Sequence, residues 1–127
     1  RFCLDAISRV SPVPVVYVPP AIDVEASRPL DRRRLGVRAD ATLFSFVFDV
    51  HSFLPRKHPW AIVEAFERAF TEDERRRGDV ALVLKSTAAV RPVPGLDTLR
   101  ARCAQARVQL VEAYWPHARV LQLIAAS

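Results

Sequence analysis

The sequence predicts an α/β fold in which parallel strands alternate with helices. Residues 43–48 and 80–84 are short, nearly continuous apolar runs, as expected for strands covered on both faces of a sheet. Between them, residues 59–70 carry apolar side chains at helical spacing, as in a connecting helix. The chain of 127 residues, with 50% apolar and 26% charged content, fits a globular domain and excludes disordered, collagen-like and coiled-coil classes. Alternating strands and helices predict a doubly wound sheet with right-handed crossovers.

Four strands are expected, at residues 13–18, 43–48, 80–84 and 108–111. The first differs from the others because prolines lie within it and on both sides of it. Proline cannot donate to a central ladder, so this run suits an edge or terminal strand followed by an extended linker. Residues 19–42 are rich in Pro, Arg and Asp and are interpreted as that linker.

Helices should fill the gaps between the later strands. Pro59 suits a first helical position, and the helix after it is the clearest of the set. Leu96, Leu99 and Cys103 share one face of a second helix, and a third begins at about residue 116. Two capped turns are also predicted, one at residues 31–36 ending on a left-handed glycine and one opening at residue 71 with a capping box.

Composition narrows the classes of function. The 19 basic and 14 acidic residues give a net charge of +5, but the arginines are scattered among acids and accompany many alanines, as a GC-rich genome encodes. We therefore expect no nucleic-acid partner. Two distant cysteines fit neither a disulfide framework nor a metal site, which favours a reducing, cytoplasmic location and no bound metal. No apolar run approaches the roughly 20 residues of a membrane helix. The chain has no methionine and no leader, so we interpret it as an excised piece.

Ligands of open α/β sheets bind outside the carboxyl ends of the strands, so the polar residues after each apolar run are candidate site residues. They are Asp49, His51, Ser52, Arg56 and Lys57 after the first buried run, Lys85 and Ser86 after the second, and Glu112, Tyr114 and Trp115 after the third. Arg56 and Lys57 immediately precede a helix start, where free N–H groups favour a phosphate. The alternative is that both are solvated loop cations. The Lys85 side chain is either solvated at the end of its strand or directed into the cleft. With three glycines, the chain holds no dinucleotide fingerprint and no P-loop.

Residues 43–49 followed by 56–66 resemble the group 1 (family 4) glycosyltransferases of the GT-B fold. The segment from Lys57 to Phe66 is similar to that family's K-x-x-x-x-L-x-x-A-F helix, with Ile62 in the Leu place. Order and spacing extend the resemblance over nearly the whole chain. The further matches are residues 16–23 with the family's interdomain strand, 32–37 with its R-x-x-L-G turn, 107–111 with its R-V-x-F-L strand and 120–126 with its next helix.

The resemblance implies a Rossmann-like doubly wound sheet, part of a GT-B C-terminal domain. Residues 1–42 would be the end of the preceding domain and the linker, and 43–127 a truncated nucleotide-sugar-binding domain. The enzyme would move a sugar from a nucleoside-diphosphate-sugar donor to a glycan or other acceptor, as a rule retaining anomeric configuration, without cofactor or metal. The implied donor-binding residues are Lys57, on the diphosphate, with Arg56, Ser52, Lys85 and Glu112, the backbone near Glu112 meeting the base.

The chain departs from the family in three places. Phe48-Asp49 stands where most members have Gly-Arg, and Lys85-Ser86 replaces a glycine-rich strand end. The family's acidic pair is expected after Ser127, so this piece supplies no catalytic residue and should be inactive alone. The competing class is a non-catalytic α/β binding or interaction module, with a nucleic-acid binder ranked last. The resemblance also allows peripheral membrane association of the intact enzyme, and an uncovered sheet edge predicts self-association of the fragment.

Overall fold

The computed structural model describes residues 2–18 and 27–127, and it is an α/β protein built on a three-stranded open sheet. The strands are β1 (Thr42–Phe48), β2 (Val80–Ser86) and β3 (Gln109–Glu112), all parallel and in the order β1-β2-β3. Phe48, Ser86 and Glu112 stand side by side in the register, so the three strands end level with one another. The sequence therefore placed all three strands correctly to within two residues.

The described part of the chain also contains six helices and one 3₁₀ turn. Their bounds are α1 Phe2–Ser8, the 3₁₀ turn Arg32–Leu35, α2 Leu54–Lys57, α3 Pro59–Ala69, α4 Glu72–Arg77, α5 Leu96–Ala106 and α6 His117–Ala125. The expected caps are present: Asp31 accepts from the Arg33 N–H, Gly36 is left-handed at φ 65°, and Thr71 and Glu74 form a capping box. The predicted helices α3, α5 and α6 are confirmed, whereas α1 and α2 were not predicted.

Helices cover both faces of the sheet. Helices α3 and α5 pack on the face formed by Phe48, Leu82 and Leu84, where Val63 and Leu99 are fully buried. Helix α6 packs on the opposite face, where Leu123 is buried against Leu43 and Val83. The side chains of each strand alternate between these two cores, as the pleat requires.

Residues just before β1 pack on the α6 face rather than extending away from it. Leu30, Leu35 and Val37 are buried in the same core as Leu123. The Arg32 guanidinium donates to the carbonyl oxygens of Ala41 (2.7 Å) and Ala126 (2.9 Å), which ties the start of β1 to the end of α6. The division at residue 42 stays a prediction.

The strand expected at residues 13–18 does not form. Residues 14–18 lie outside any helix or strand, and Val16 and Val18 are 77% and 79% exposed. Pro14 removes one backbone donor from this run, and no described strand lies beside the run to accept hydrogen bonds from the others. Residues 19–26, which carry the predicted start of the linker and most of the interdomain motif, lie outside the described residues.

Candidate functional site

Hydrogen bonds join the loops that follow the three strands into one rim. The Thr87 hydroxyl donates to the Asp49 carboxylate (2.7 Å), and His51 Nε2 lies 3.2 Å from the carbonyl oxygen of Ala88. On the other side of the central strand β2, the Ala113 N–H donates to the carbonyl oxygen of Ser86 (3.1 Å). The structure therefore brings the predicted loops to one edge of the sheet, as level parallel strands require.

Asp49 organises the loop after β1. Its carboxylate accepts the Thr87 hydroxyl and the backbone N–H of His51 (3.0 Å), the latter closing a turn two residues long. These two hydrogen bonds, with smaller contributions from the charges of His51 and Lys57, hold the pKa of Asp49 below its usual value. The carboxylate therefore stays ionised down to more acidic pH than a free aspartate.

Arg56 and Lys57 lie in the short helix α2, directly before α3. The Arg56 guanidinium donates to the Ser52 hydroxyl (3.0 Å), so two of the predicted site residues are in contact. Lys57 is the last residue of α2 and does not open α3, because the left-handed His58 (φ 48°) separates the two helices. The cations nevertheless stand immediately ahead of α3, whose start has no side-chain cap and no acidic residue in its first turn.

Lys57 remains available to a ligand. Its side chain is partly exposed, and within residues 2–18 and 27–127 it forms no ion pair. Residues 49–57 carry one carboxylate, that of Asp49, and two cations, Arg56 and Lys57. The net charge of this loop is therefore positive.

Lys85 has very different surroundings. It is still part of β2, so its side chain is directed onto the α6 face, where it is only 3% exposed. Its ammonium donates to the carbonyl oxygens of Ser86 (2.6 Å) and Ala113 (2.7 Å) and lies 5.1 Å from the centre of the Trp115 ring. Burial lowers the pKa of Lys85, and the charge of Arg119 lowers it further. This lysine ties the end of β2 to the loop after β3.

Glu112 is also engaged within the protein. Both of its carboxylate oxygens accept from the guanidinium of Arg100 on α5, each at 2.8 Å. Such a two-point contact has the favoured arginine–carboxylate geometry, and the Glu112 side chain is only 21% exposed. The predicted donor-site residues therefore fall into two sets, with Ser52, Arg56 and Lys57 together at the end of β1, and Lys85 and Glu112 held in internal contacts.

A cavity of about 460 Å³ lies between the loops after β1 and β2. Its polar side chains are His51, Ser52 and Arg91, and its remaining walls are apolar, formed by Val50, Phe53, Leu54, Pro55, Pro92, Val93 and Pro94. Lys57 is not among the lining residues. Sequence reasoning missed Arg91 and Thr87, because both lie several residues past the end of β2 and reach the rim only through the path of the loop.

No helix in residues 2–18 or 27–127 is long and apolar enough to cross a membrane. No group of three or more His, Cys, Asp or Glu side chains in those same ranges is arranged to hold a metal ion. Comparison with known proteins found no matching family model, no matching curated protein and no matching solved structure.

Proposed function

We propose that this chain forms part of the donor site of a glycosyltransferase and binds the diphosphate of a nucleoside-diphosphate sugar at the carboxyl end of β1. The observation that carries the proposal is the position of Lys57, partly exposed and without an ion pair in the described residues, at this end of the sheet. The sugar is transferred to a glycan or other acceptor, with contributions from parts of the enzyme outside this chain.

The packing of the helices supports a crevice at this place. Helices α3 and α5, which follow β1 and β2, lie on one face, whereas α6 lies on the other and contacts β1. In a Rossmann-like, doubly wound sheet, the strand at which the helices change face marks the ligand crevice, outside its carboxyl end. By that rule the crevice belongs to β1, which is the strand that leads to Asp49 and Lys57.

The chemistry of the loop fits a diphosphate. The positive end of the dipole of α3, an eleven-residue helix, favours an anion beside the two cations. In the reaction, negative charge grows on the leaving diphosphate as the bond to the sugar breaks. The Lys57 ammonium and Arg56 guanidinium would stabilise that charge electrostatically. Lys85 and Glu112 are given no ligand contact in this proposal.

Titration of UDP and GDP against the chain and its Lys57→Ala variant tests the proposal. Loss of one charge-assisted hydrogen bond costs about 1.5–3 kcal/mol, so the variant should bind roughly 10- to 150-fold more weakly. Arg34→Ala is the matched control, because it removes the same charge from an exposed residue near the amino end of β1. Equal affinity of Lys57→Ala and the parent chain, or an equal loss in Arg34→Ala, would contradict the proposal.

A non-catalytic α/β binding module is the second candidate. It is favoured by the internal contacts of Lys85 and Glu112, which engage the charged groups of two of the five predicted donor-site residues within the protein. The enzyme is expected to encode the family's acidic pair downstream of Ser127, and the module is not. Reading the flanking coding sequence therefore separates the two candidates without reference to nucleotide affinity.

A further inference from the structure

The cavity of about 460 Å³ between the loops after β1 and β2 has a floor that belongs to the protein core. Val50 and Leu54 line it, are 1% and 3% exposed, and are part of the core on the face covered by α3 and α5. Val93, from the second loop, packs against the same core. Both loops are described from end to end. The shape of the cavity is therefore fixed by packing within these residues.

Hydrogen bonds and prolines hold the two walls of the cavity in place. The Thr87 hydroxyl donates to the Asp49 carboxylate (2.7 Å), and His51 Nε2 lies 3.2 Å from the carbonyl oxygen of Ala88, so each contact joins one loop to the other. Three of the ten lining residues are prolines, which fix their own φ and carry no N–H. A preformed cavity of this volume, with mostly apolar walls and few polar groups, is typical of a small-molecule site.

Arg91 gives the cavity a positive charge that no carboxylate neutralises. Among the described residues that line the cavity it is the one lysine or arginine, and none of them is Asp or Glu. Within residues 2–18 and 27–127 its exposed guanidinium forms no ion pair. The carboxylate of Asp97, in the first turn of α5, is instead paired with Arg100 at 2.6 Å. An unpaired guanidinium beside apolar walls favours an anionic ligand.

Ser52 supplies a second polar group, from the other loop. Its hydroxyl oxygen accepts a hydrogen bond from the Arg56 guanidinium (3.0 Å), and its proton has no acceptor in the described part of the chain. The hydroxyl can therefore donate to a ligand, with the positive charge of Arg56 beside it. The two loops thus offer donors to one anionic group, and a carboxylate matches the planar fork of an arginine.

We propose that this cavity binds a small aromatic carboxylate, with its carboxylate on Arg91 and its ring between the apolar walls. Phe53, which lines the cavity but is 70% exposed, lies at the mouth, where it can contact the ring. The proposal does not rest on the diphosphate site, because Lys57 is not a lining residue. The same edge of the sheet then carries two different anion sites, an open loop with two cations and an apolar cavity with one.

Calorimetric titration with naphthoate tests the proposal, and two related probes separate its parts. Naphthamide keeps the ring without the charge, and acetate keeps the carboxylate without the ring. Naphthoate should bind saturably, and each of the other two should bind about 10-fold more weakly or worse, because it lacks either the charge-assisted hydrogen bond or the buried ring. No saturable binding of naphthoate, or equal affinity for naphthoate and naphthamide, would overturn the proposal.

Variants of Arg91 identify the group that holds the carboxylate. Arg91→Gln should weaken naphthoate binding roughly 10- to 150-fold and leave naphthamide binding unchanged, and Arg91→Lys should restore part of the loss because it keeps the charge. The side chain is exposed, so the fold should not depend on it. Arg34→Gln is the matched control, since it removes the same charge near the amino end of β1 and should have no effect.

Phe53→Asp tests the mouth of the cavity without disturbing the fold. Phe53 is the residue before the first turn of α2, a position at which aspartate is well tolerated. The new carboxylate should repel naphthoate and weaken its binding more than that of naphthamide. Equal weakening of both ligands in Arg91→Gln, an equal loss in Arg34→Gln, or unchanged naphthoate affinity in Phe53→Asp would contradict the proposed site.

Discussion

Lys57 follows β1, and Lys85 lies near the end of the neighbouring parallel strand β2. Lys57 is partly exposed and open to a ligand, whereas Lys85 is buried. Lys85 still belongs to β2, so the pleat directs its side chain onto a face of the sheet, where α6 covers it. Lys57 stands nine residues past the end of β1, in a helix that lies over the rim. A cation within a strand is directed to a face, whereas a cation beyond it is free to stay at the edge where ligands bind.

The positive charges of Lys85 and Lys57 also act on different partners. Lys85 satisfies two backbone carbonyl oxygens and contacts Trp115, whose ring also lies 4.2 Å from the Arg119 guanidinium. Its role is to join β2 to the loop after β3. The charge of Lys57 is matched only by the distant influence of Asp49 among the described residues, and so it can act on a bound anion.

The largest expected difference between the two lysines is in the effect of their replacement on stability. Lys85→Ala removes a buried side chain and leaves the carbonyl oxygen of Ala113 without its donor, so we expect a loss of about 2–4 kcal/mol in the free energy of unfolding. Lys57→Ala should change it by no more than about 0.5 kcal/mol. Urea unfolding of both variants measures the difference. Equal losses would show that the two lysines do not differ as described.

A smaller effect concerns the pH dependence of folding. Because the pKa of Lys85 is lowered in the folded state, the unfolded chain binds this proton more tightly. The contribution of Lys85 to the free energy of unfolding should therefore rise with pH between its lowered pKa in the folded state and the usual value of 10.5. Below the lowered pKa the buried side chain is an ammonium, and folding bears the full cost of burying that charge.

Arg119→Gln sharpens this prediction, because it removes the nearby positive charge. The pKa of Lys85, followed by NMR of the lysine side chain, should move upward toward its usual value in this variant. Arg34→Gln, at the other end of the sheet, serves as the control and should leave the pKa where it was. A Lys85 that titrates at or above 10.5 in the parent chain would contradict the burial described here.

Local sequence patterns predicted most of the fold. Apolar runs identified β1, β2 and β3, because helices cover both faces of the sheet, and helical spacing identified α3, α5 and α6, because each of these helices buries one side. Helix α2 was missed, since a single turn has no periodicity to detect. Residues 13–18 were assigned to a strand from composition alone, although a strand needs a partner that composition does not reveal.

The candidate site was predictable in position but not in detail. The loops after the three strands lie at one edge of the sheet, as the sequence predicted, because parallel strands end at the same edge. The burial of Lys85 depends on α6 folding back over that face, and the pairing of Glu112 depends on where α5 places Arg100. The hydrogen bond from Thr87 to Asp49 joins residues 38 positions apart. Such contacts between distant elements leave no signal in a single sequence.

The chain contains only two lysines, and this makes a direct measurement of the diphosphate site possible. Lysine labelled with ¹³C and ¹⁵N gives one side-chain ammonium environment for each, and Lys57→Arg assigns them. On titration with inorganic pyrophosphate, the Lys57 signal should shift saturably while the Lys85 signal stays in place. Movement of the Lys85 signal instead, equal movement of both, or no movement of either would contradict a diphosphate site at the end of β1.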